Sequence, residues 1–107
     1  MAMQVEWKKQ AQREVRAVVI YSVEHFGERT ALLFYQKIKM WAERLVIHPE
    51  LGSPEPLLAG RKRLYRSLIV HEHHKLIYYI DEIRQIVYIT DLWDMRREPS
   101  RLSKRLK

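Results

Sequence analysis

Residues 64–93 read LYRSLIVHEHHKLIYYIDEIRQIVYITDLW and contain three apolar runs separated by short polar turns. The runs cover residues 64–70, 75–80 and 86–93, and Val, Ile, Tyr and Leu dominate in each. β-Branched and aromatic side chains favour the pleated, half-buried surface of a strand. The stretch therefore predicts a three-stranded antiparallel meander. Both faces of its strands are largely apolar, so we expect the helices to cover one face and a partner or the tail after residue 93 to cover the other.

Two helices are predicted before the meander. Apolar or small residues recur every three or four positions from Trp7 to Phe26, which indicates a helix at about 8–25 with one buried stripe. Gly27 breaks this pattern, and a second helix is expected from Glu28 until Pro49 ends it. The connection is so short that the helices must form an antiparallel hairpin. The predicted buried stripe of the second helix is Ala31, Phe34, Ile38, Trp41 and Leu45.

The remaining segments complete a single predicted domain over residues 1–107. Residues 2–7 alternate in polarity, which indicates a short strand. Residues 48–60 hold three of the four prolines and are predicted to connect the hairpin to the sheet. The predicted fold class is α+β, with an N-terminal helical hairpin packed on a three- to four-stranded antiparallel sheet. The chain lacks cysteine, any apolar run of about 20 residues and the apolar core of a signal peptide, so we expect a soluble, cytoplasmic protein without a membrane partner.

The net charge of +7 is unevenly distributed. Residues 61–75 hold five Lys or Arg against one acid, and residues 94–107 hold six against two, so each segment carries +4. The rest of the chain therefore sums to −1. A concentrated positive field attracts nucleic acid, anionic surfaces or an acidic protein, although it can also simply keep a small protein in solution.

The segment HEHHK at 71–75 and the charges around it are the candidate sites of chemistry. In a strand His71 and His73 would point one way and His74 the other, whereas a zinc site needs three or four convergent ligands. We therefore predict a polar hairpin turn with no metal and no cofactor. The alternative is a histidine that contacts phosphate or acts as a general acid or base.

Arg66 lies in the middle of a predicted strand, where an unpaired charge is unfavourable. It either reaches solvent, or pairs with Asp91 or Asp94, or directs its guanidinium at a phosphate or carboxylate. If the strands are antiparallel, the segment after the last strand lies close to the 71–75 turn. We therefore expect one basic surface formed by Arg66, Lys75, Arg96 and Arg97.

The order of these motifs resembles the RelE/ParE superfamily of type II toxin–antitoxin toxins. The resemblance covers nearly the whole chain and rests on HPELGSPEPL, RLYRSLIV, HHKLIYYID, IVYITDLWDMR and REPSRL. The Pro-Glu-Leu-Gly connector, His74-Lys75-x-x-Tyr78 and Asp94-x-Arg96 followed by Pro99 are most similar to the ParE-like, plasmid-stabilisation branch. The resemblance implies a cognate antitoxin with an acidic, partly disordered segment that wraps the toxin, so a hetero-oligomer with the antitoxin or a homo-oligomer is expected.

The two branches of this superfamily differ in target. ParE-like toxins poison DNA gyrase and carry no known hydrolytic site. RelE-like toxins are endoribonucleases that cut messenger RNA in the ribosome, using basic residues and commonly a tyrosine near the C-terminus. Residues 99–106 contain no tyrosine, and Leu102 stands about where it would fall. We therefore favour growth inhibition through gyrase over an mRNA endonuclease or an inactive member that only binds its antitoxin.

Whether the protein is an enzyme is left open by the sequence. If it is a nuclease, the candidate catalytic residues are Arg66, His73, His74, Lys75 and Arg96. The candidate target- or nucleic-acid-binding residues are Arg61, Arg63, Arg66, Lys75, Arg96 and Arg97.

Overall fold

The predicted helical hairpin is present in the computed structural model, which describes residues 2–106. Helix α1 spans Lys9–Phe26 and helix α2 spans Glu28–Arg44. Gly27 joins them with φ of 90°, a backbone conformation that glycine adopts without strain. Phe26 is 63% exposed, so its predicted place in the buried stripe was wrong. Apolar side chains on both sides of Gly27 are exposed, which indicates that this end of the hairpin extends past the core.

The sheet has five strands over residues 2–106, in the order β1-β5-β4-β3-β2. Their bounds are β1 Gln4–Trp7, β2 Ser53–Pro54, β3 Arg66–His71, β4 His74–Asp81 and β5 Ile86–Asp94. The predicted meander corresponds to β3, β4 and β5. The predicted three to four antiparallel strands were wrong in number and in one direction, because β1 pairs with β5 in parallel. That pairing joins segments nearly a whole chain length apart, so no local sequence pattern reports it.

The sheet separates two apolar cores. The hairpin-side core lies between the sheet and α1–α2, and the tail-side core lies on the opposite face. Helix α3, Pro99–Arg105, packs on the tail-side core through Leu102, so the tail covers this face as one of the two alternatives predicted. The buried residues of the tail-side core are Leu58, Tyr65, Ile77, Tyr79, Tyr88, Trp93 and Leu102.

An irregularity in β5 changes which side chains face each core. The register between β4 and β5 shifts at Thr90, whose hydroxyl donates to the Ile77 carbonyl at 3.1 Å. After the shift Leu92 joins the hairpin-side core, while Trp93 joins the tail-side core and Asp91 meets the last residues of α3. A bulge of this kind inserts one residue and redirects the strand beyond it.

The connector between α2 and β3 is fastened to the sheet by one phenol. The Gly52 N–H donates to the Tyr78 hydroxyl at 2.8 Å, and that hydroxyl donates to the Pro49 carbonyl at 2.7 Å. A Cβ at Gly52 would lie 2.6 Å from the Ser67 carbonyl oxygen, so only glycine fits. Within residues 2–106, no helix combines the length and the apolarity that crossing a bilayer requires.

Candidate functional site

The predicted basic residues do not converge on one surface. Arg66 is the cross-strand partner of Tyr78 and stands two residues before Leu68. Its side chain therefore shares their face of the sheet, the hairpin side. Lys75 stands two residues before Ile77 and shares its face, the tail side. It lies beside the segment that precedes Leu58. Side chains of a strand point alternately to opposite faces, and the two residues fall on different faces. The prediction of a single surface containing both was therefore wrong.

Arg66 and Lys75 both have partners within the protein. The Arg66 guanidinium donates to the Gly52 carbonyl at 2.8 Å, so one of its predicted alternatives, pairing with Asp91 or Asp94, was wrong. Lys75 forms an ion pair with Glu55, whose side chain is fully buried. Both cations hold the connector against the sheet.

Arg96 is held by the last residue of β5. Its Nε and Nη2 donate to the two carboxylate oxygens of Asp94 at 3.0 and 2.8 Å. These hydrogen bonds lower the pKa of Asp94 to about 2. A bidentate pair of this kind is geometrically specific, and it fixes the direction of the Arg96 side chain.

The HEHHK segment is a hairpin turn, as predicted, with Glu72 and His73 between β3 and β4. His71 and His74 are cross-strand partners and both contact the Phe34 ring, at centroid distances of 4.9 and 5.4 Å. The predicted opposite orientation of His74 was wrong, because the strand pattern stops at the turn and the pairing across it sets the faces. His73 lies in the turn and is partly exposed.

The titration of these histidines argues against a cationic role. Burial lowers the pKa of His74, and the nearby Asp94, 3.9 Å away, opposes this effect only in part. Burial and then Lys37 lower the pKa of His71. Both imidazoles are therefore mainly neutral at pH 7. Among residues 2–106, no group of three or more His, Asp or Glu side chains is arranged to hold a metal ion.

Three further arginines predicted as binding residues lie on the tail side. Arg61 donates to the carbonyl and hydroxyl of Ser103 and so holds α3. The Arg63 guanidinium lies 4.4 Å from the centre of the Tyr79 ring. Arg97 lies 5.8 Å from the Trp93 ring centre and 3.7 Å from a Glu14 oxygen.

A basic cleft of about 280 Å³ is formed by Trp93, near the end of β5, and by four cations of the segment that follows. We call it the tail cleft, and its lining is Trp93, Arg97, Arg101, Lys104 and Arg105. Arg105 joins three elements, because its Nη2 donates to Glu14 of α1 at 2.8 Å and to Asp91 of β5 at 2.9 Å. Burial raises the pKa of Asp91 to about 7, against the effect of Arg105.

Three of the cations in the tail cleft were not among the residues predicted from the sequence, namely Arg101, Lys104 and Arg105. A local signal was available, because Pro99 follows Glu98 and begins a helix whose N-cap is the Glu98 carboxylate. Proline at the first helical position and an acceptor just before it are standard helix-start features.

An apolar groove of about 590 Å³ lies between helices α1 and α2 and is also lined by Trp7 of β1. Its floor includes Val19, Val23 and Leu32, and Arg16 and Lys39 lie among its lining residues together with one acid, Glu28. The helical periodicity predicted only the sheet-facing stripe of each helix, so this groove was not predicted. A groove of this composition suits an amphipathic helix that carries acidic residues along its edge.

Comparisons with known proteins agree with this architecture. A family model described as the ParE toxin of the type II toxin–antitoxin system parDE matches residues 5–99. No curated protein sequence shows a significant match to the chain.

Three solved structures share the fold. A chromosomal ParDE system from P. aeruginosa aligns with TM-score 0.70 and 17% identity, covering 87% of this chain and 96% of that one. The RelBE2 toxin–antitoxin complex from Mycobacterium tuberculosis aligns with TM-score 0.58 and 18% identity, covering 88% and 99%. A YoeB dimer from Staphylococcus aureus aligns with TM-score 0.57 and 18% identity, covering 85% and 94%.

Proposed function

Because the chain belongs to the ParE toxin family of type II toxin–antitoxin systems, we propose that it inhibits growth by poisoning DNA gyrase in the cytoplasm and is neutralised by a cognate antitoxin. One observation carries the choice of target. The cations that a nuclease would need have partners within the fold, whereas Arg101 and Lys104 of the tail cleft are exposed and have no ion-pair partner among residues 2–106.

Ribonuclease chemistry needs a base for the ribose hydroxyl, a cation for the developing charge and an acid for the leaving oxygen. Arg66, Lys75 and Arg96 are bound to Gly52, Glu55 and Asp94 respectively. His74 is buried, so His73 is the accessible one of the two candidate histidines. Leu102, at the position of the expected tyrosine, is fully buried in the tail-side core. These placements support a toxin that acts by binding.

We propose that the antitoxin binds in the apolar groove of the helical hairpin. Leu32 is 54% exposed and Val23 is 40% exposed, although both are apolar. An exposed apolar patch with a charged rim is typical of a protein–protein interface. The lining carries two cations and one acid, so an amphipathic antitoxin helix with acidic flanks complements it in both shape and charge. The ParDE and RelBE2 neighbours are toxin–antitoxin systems, which supports such a partner.

We propose that the gyrase target binds at the tail cleft. Arg97, Arg101 and Lys104 line it, and Arg101 and Lys104 have no carboxylate within ion-pairing distance among residues 2–106. Of the residues predicted from the sequence, Arg97 belongs to this surface. Arg61, Arg66, Lys75 and Arg96 lie outside it and bind Ser103, Gly52, Glu55 and Asp94 instead.

A gyrase supercoiling assay with the purified toxin tests this proposal. We expect inhibition that is relieved by the antitoxin and weakened in an Arg101→Gln/Lys104→Gln variant. An equally charged Lys9→Gln/Arg29→Gln variant, changed at exposed positions outside the tail cleft, is expected to inhibit as the unmodified protein does. Full supercoiling activity at micromolar toxin would contradict the gyrase target.

A ribosome assay separates the two alternatives. Site-specific cleavage of a defined message on programmed ribosomes, lost in folded Arg96→Ala or His73→Ala variants, would favour a RelE-like endonuclease. Normal growth on induction of the folded protein without antitoxin would favour an inactive member that only binds its antitoxin.

A further inference from the structure

The turn between β4 and β5 presents an apolar side chain to solvent. Ile83 lies in this turn and is 97% exposed. The turn is well tied, because the Arg84 N–H donates to the Asp81 carboxylate at 3.0 Å and the Gln4 N–H donates to the Gln85 carbonyl at 3.0 Å. The backbone that carries Ile83 is therefore held on both sides, and its exposure is a defined feature of the surface.

A cleft of about 540 Å³ lies directly beside Ile83. The Tyr79 and Tyr88 rings line it, with their centres 5.2 Å apart. The Lys8 ammonium lies 4.5 Å from the Tyr88 ring centre, and the Arg63 guanidinium lies 4.4 Å from the Tyr79 ring centre. The cleft thus brings together cations from two distant segments, one before α1 and one before β3.

Both cations retain unused hydrogen-bond donors. Among residues 2–106, no carboxylate lies within 4.0 Å of Lys8 or Arg63, and neither side chain makes a hydrogen bond. A cation over an aromatic ring is attracted to the ring face but keeps its N–H groups available. Two cations with free donors above adjacent rings are equipped to bind an oxyanion.

We infer that this cleft binds an acidic peptide segment of a partner protein, whose carboxylates contact Lys8 and Arg63 and whose neighbouring apolar side chain packs on Ile83. The acids Asp81 and Glu82 also line the cleft, as does a third cation, Arg84, whose Nε lies 3.8 Å from an Asp81 oxygen. The two acids repel the closely spaced charges of a nucleic-acid strand, whereas a peptide can direct isolated carboxylates at the cations only. Ile83 adds apolar area that a peptide side chain can cover and a phosphate backbone cannot.

This site is separate from the tail cleft and from the hairpin groove, so its test does not depend on the gyrase target. The probe is a fluorescein-labelled peptide, GLDELDG, titrated with the full-length protein and followed by fluorescence anisotropy. We expect saturable binding that is lost for the amide-matched peptide GLNQLNG and is not competed by a short oligothymidylate. A Lys8→Gln/Arg63→Gln variant is expected to bind about tenfold more weakly.

Matched variants make the result specific to this cleft. Lys9→Gln/Arg29→Gln removes the same charge at exposed positions outside it and is expected to bind as the unmodified protein does. Ile83→Ser is expected to weaken binding, whereas Ile47→Ser, at another exposed isoleucine, is not. Absence of binding, an equal loss in both charge variants, or tighter binding of the oligothymidylate would overturn the inference, even if gyrase inhibition were observed.

Discussion

Replacing Lys75 by alanine is expected to destabilise the protein strongly. Lys75 pairs with Glu55, whose side chain is fully buried and whose other oxygen accepts a hydrogen bond from the Leu57 N–H at 2.9 Å. The Lys75→Ala change would leave a buried carboxylate without its cation, and breaking such a pair costs about 3–5 kcal/mol. A domain of this size is stable by only about 5–15 kcal/mol, so the variant loses a large fraction of its stability.

The measurement is urea unfolding at pH 7, followed by the fluorescence of the tryptophans. The Lys75→Ala/Glu55→Gln double variant is expected to be less destabilised than the sum of the two single variants, because glutamine removes the charge and can still accept from Leu57. The difference is the coupling energy of the pair. Lys104→Ala, at an exposed position, is the control and is expected to change stability by no more than about 0.5 kcal/mol.

A loss below about 1 kcal/mol in Lys75→Ala would refute this reasoning, since it would place the pair among weak surface interactions. The prediction also bears on function. If Lys75 acts through the fold, any loss of toxicity in Lys75→Ala will follow the fraction of unfolded protein, whereas a catalytic lysine would lower activity in a fully folded variant.

Three further perturbations test other contacts. Tyr78→Phe leaves the Gly52 N–H and the Pro49 carbonyl without their partner, and we expect a loss of about 1–3 kcal/mol in thermal or urea unfolding; an unchanged midpoint would show that the connector does not depend on the phenol. Leu102→Ala empties a fully buried position beneath α3, with an expected loss of about 2–5 kcal/mol and faster amide exchange in that helix; protection equal to the unmodified protein would contradict the anchoring role. The pKa of Asp91 is raised to about 7 in the folded state. Between pH 4 and 7 the folded protein therefore binds more protons than the unfolded chain, and this group makes stability fall as the pH rises through that range. Relative to Asp91→Asn, the unmodified protein is expected to lose about 2 kcal/mol between pH 5 and 7.5, and parallel pH profiles of the two proteins would disprove this assignment.

The helical hairpin and the meander could be predicted because their signals are local. The periodicity of α1 and α2, the break at Gly27 and the alternation in residues 64–93 each act within a few residues. The short polar turn at Glu72 and His73 was predicted for the same reason.

The arrangement of the candidate site depends on features that are not local. The parallel pairing of β1 with β5 and the register shift at Thr90 leave no pattern in their own segments. The shift decides that Asp91 meets Arg105, and Arg105 meets Glu14 from the other end of the chain. Charge patterns identified basic segments correctly, but they could not show which cations have internal partners.

The place of β5 in the sheet also affects how the protein is made. β5 lies between β1 and β4, and Gln4 in the first strand pairs with Ile86 in the last. At synthesis rates of about 5–20 residues per second, roughly 4–16 s separate the translation of these two partners. During this interval the hairpin can form, because its contacts are close in sequence, but β1 has no strand to pair with. The toxin therefore acquires its complete sheet only after β5 has emerged, several seconds after its first strand was translated.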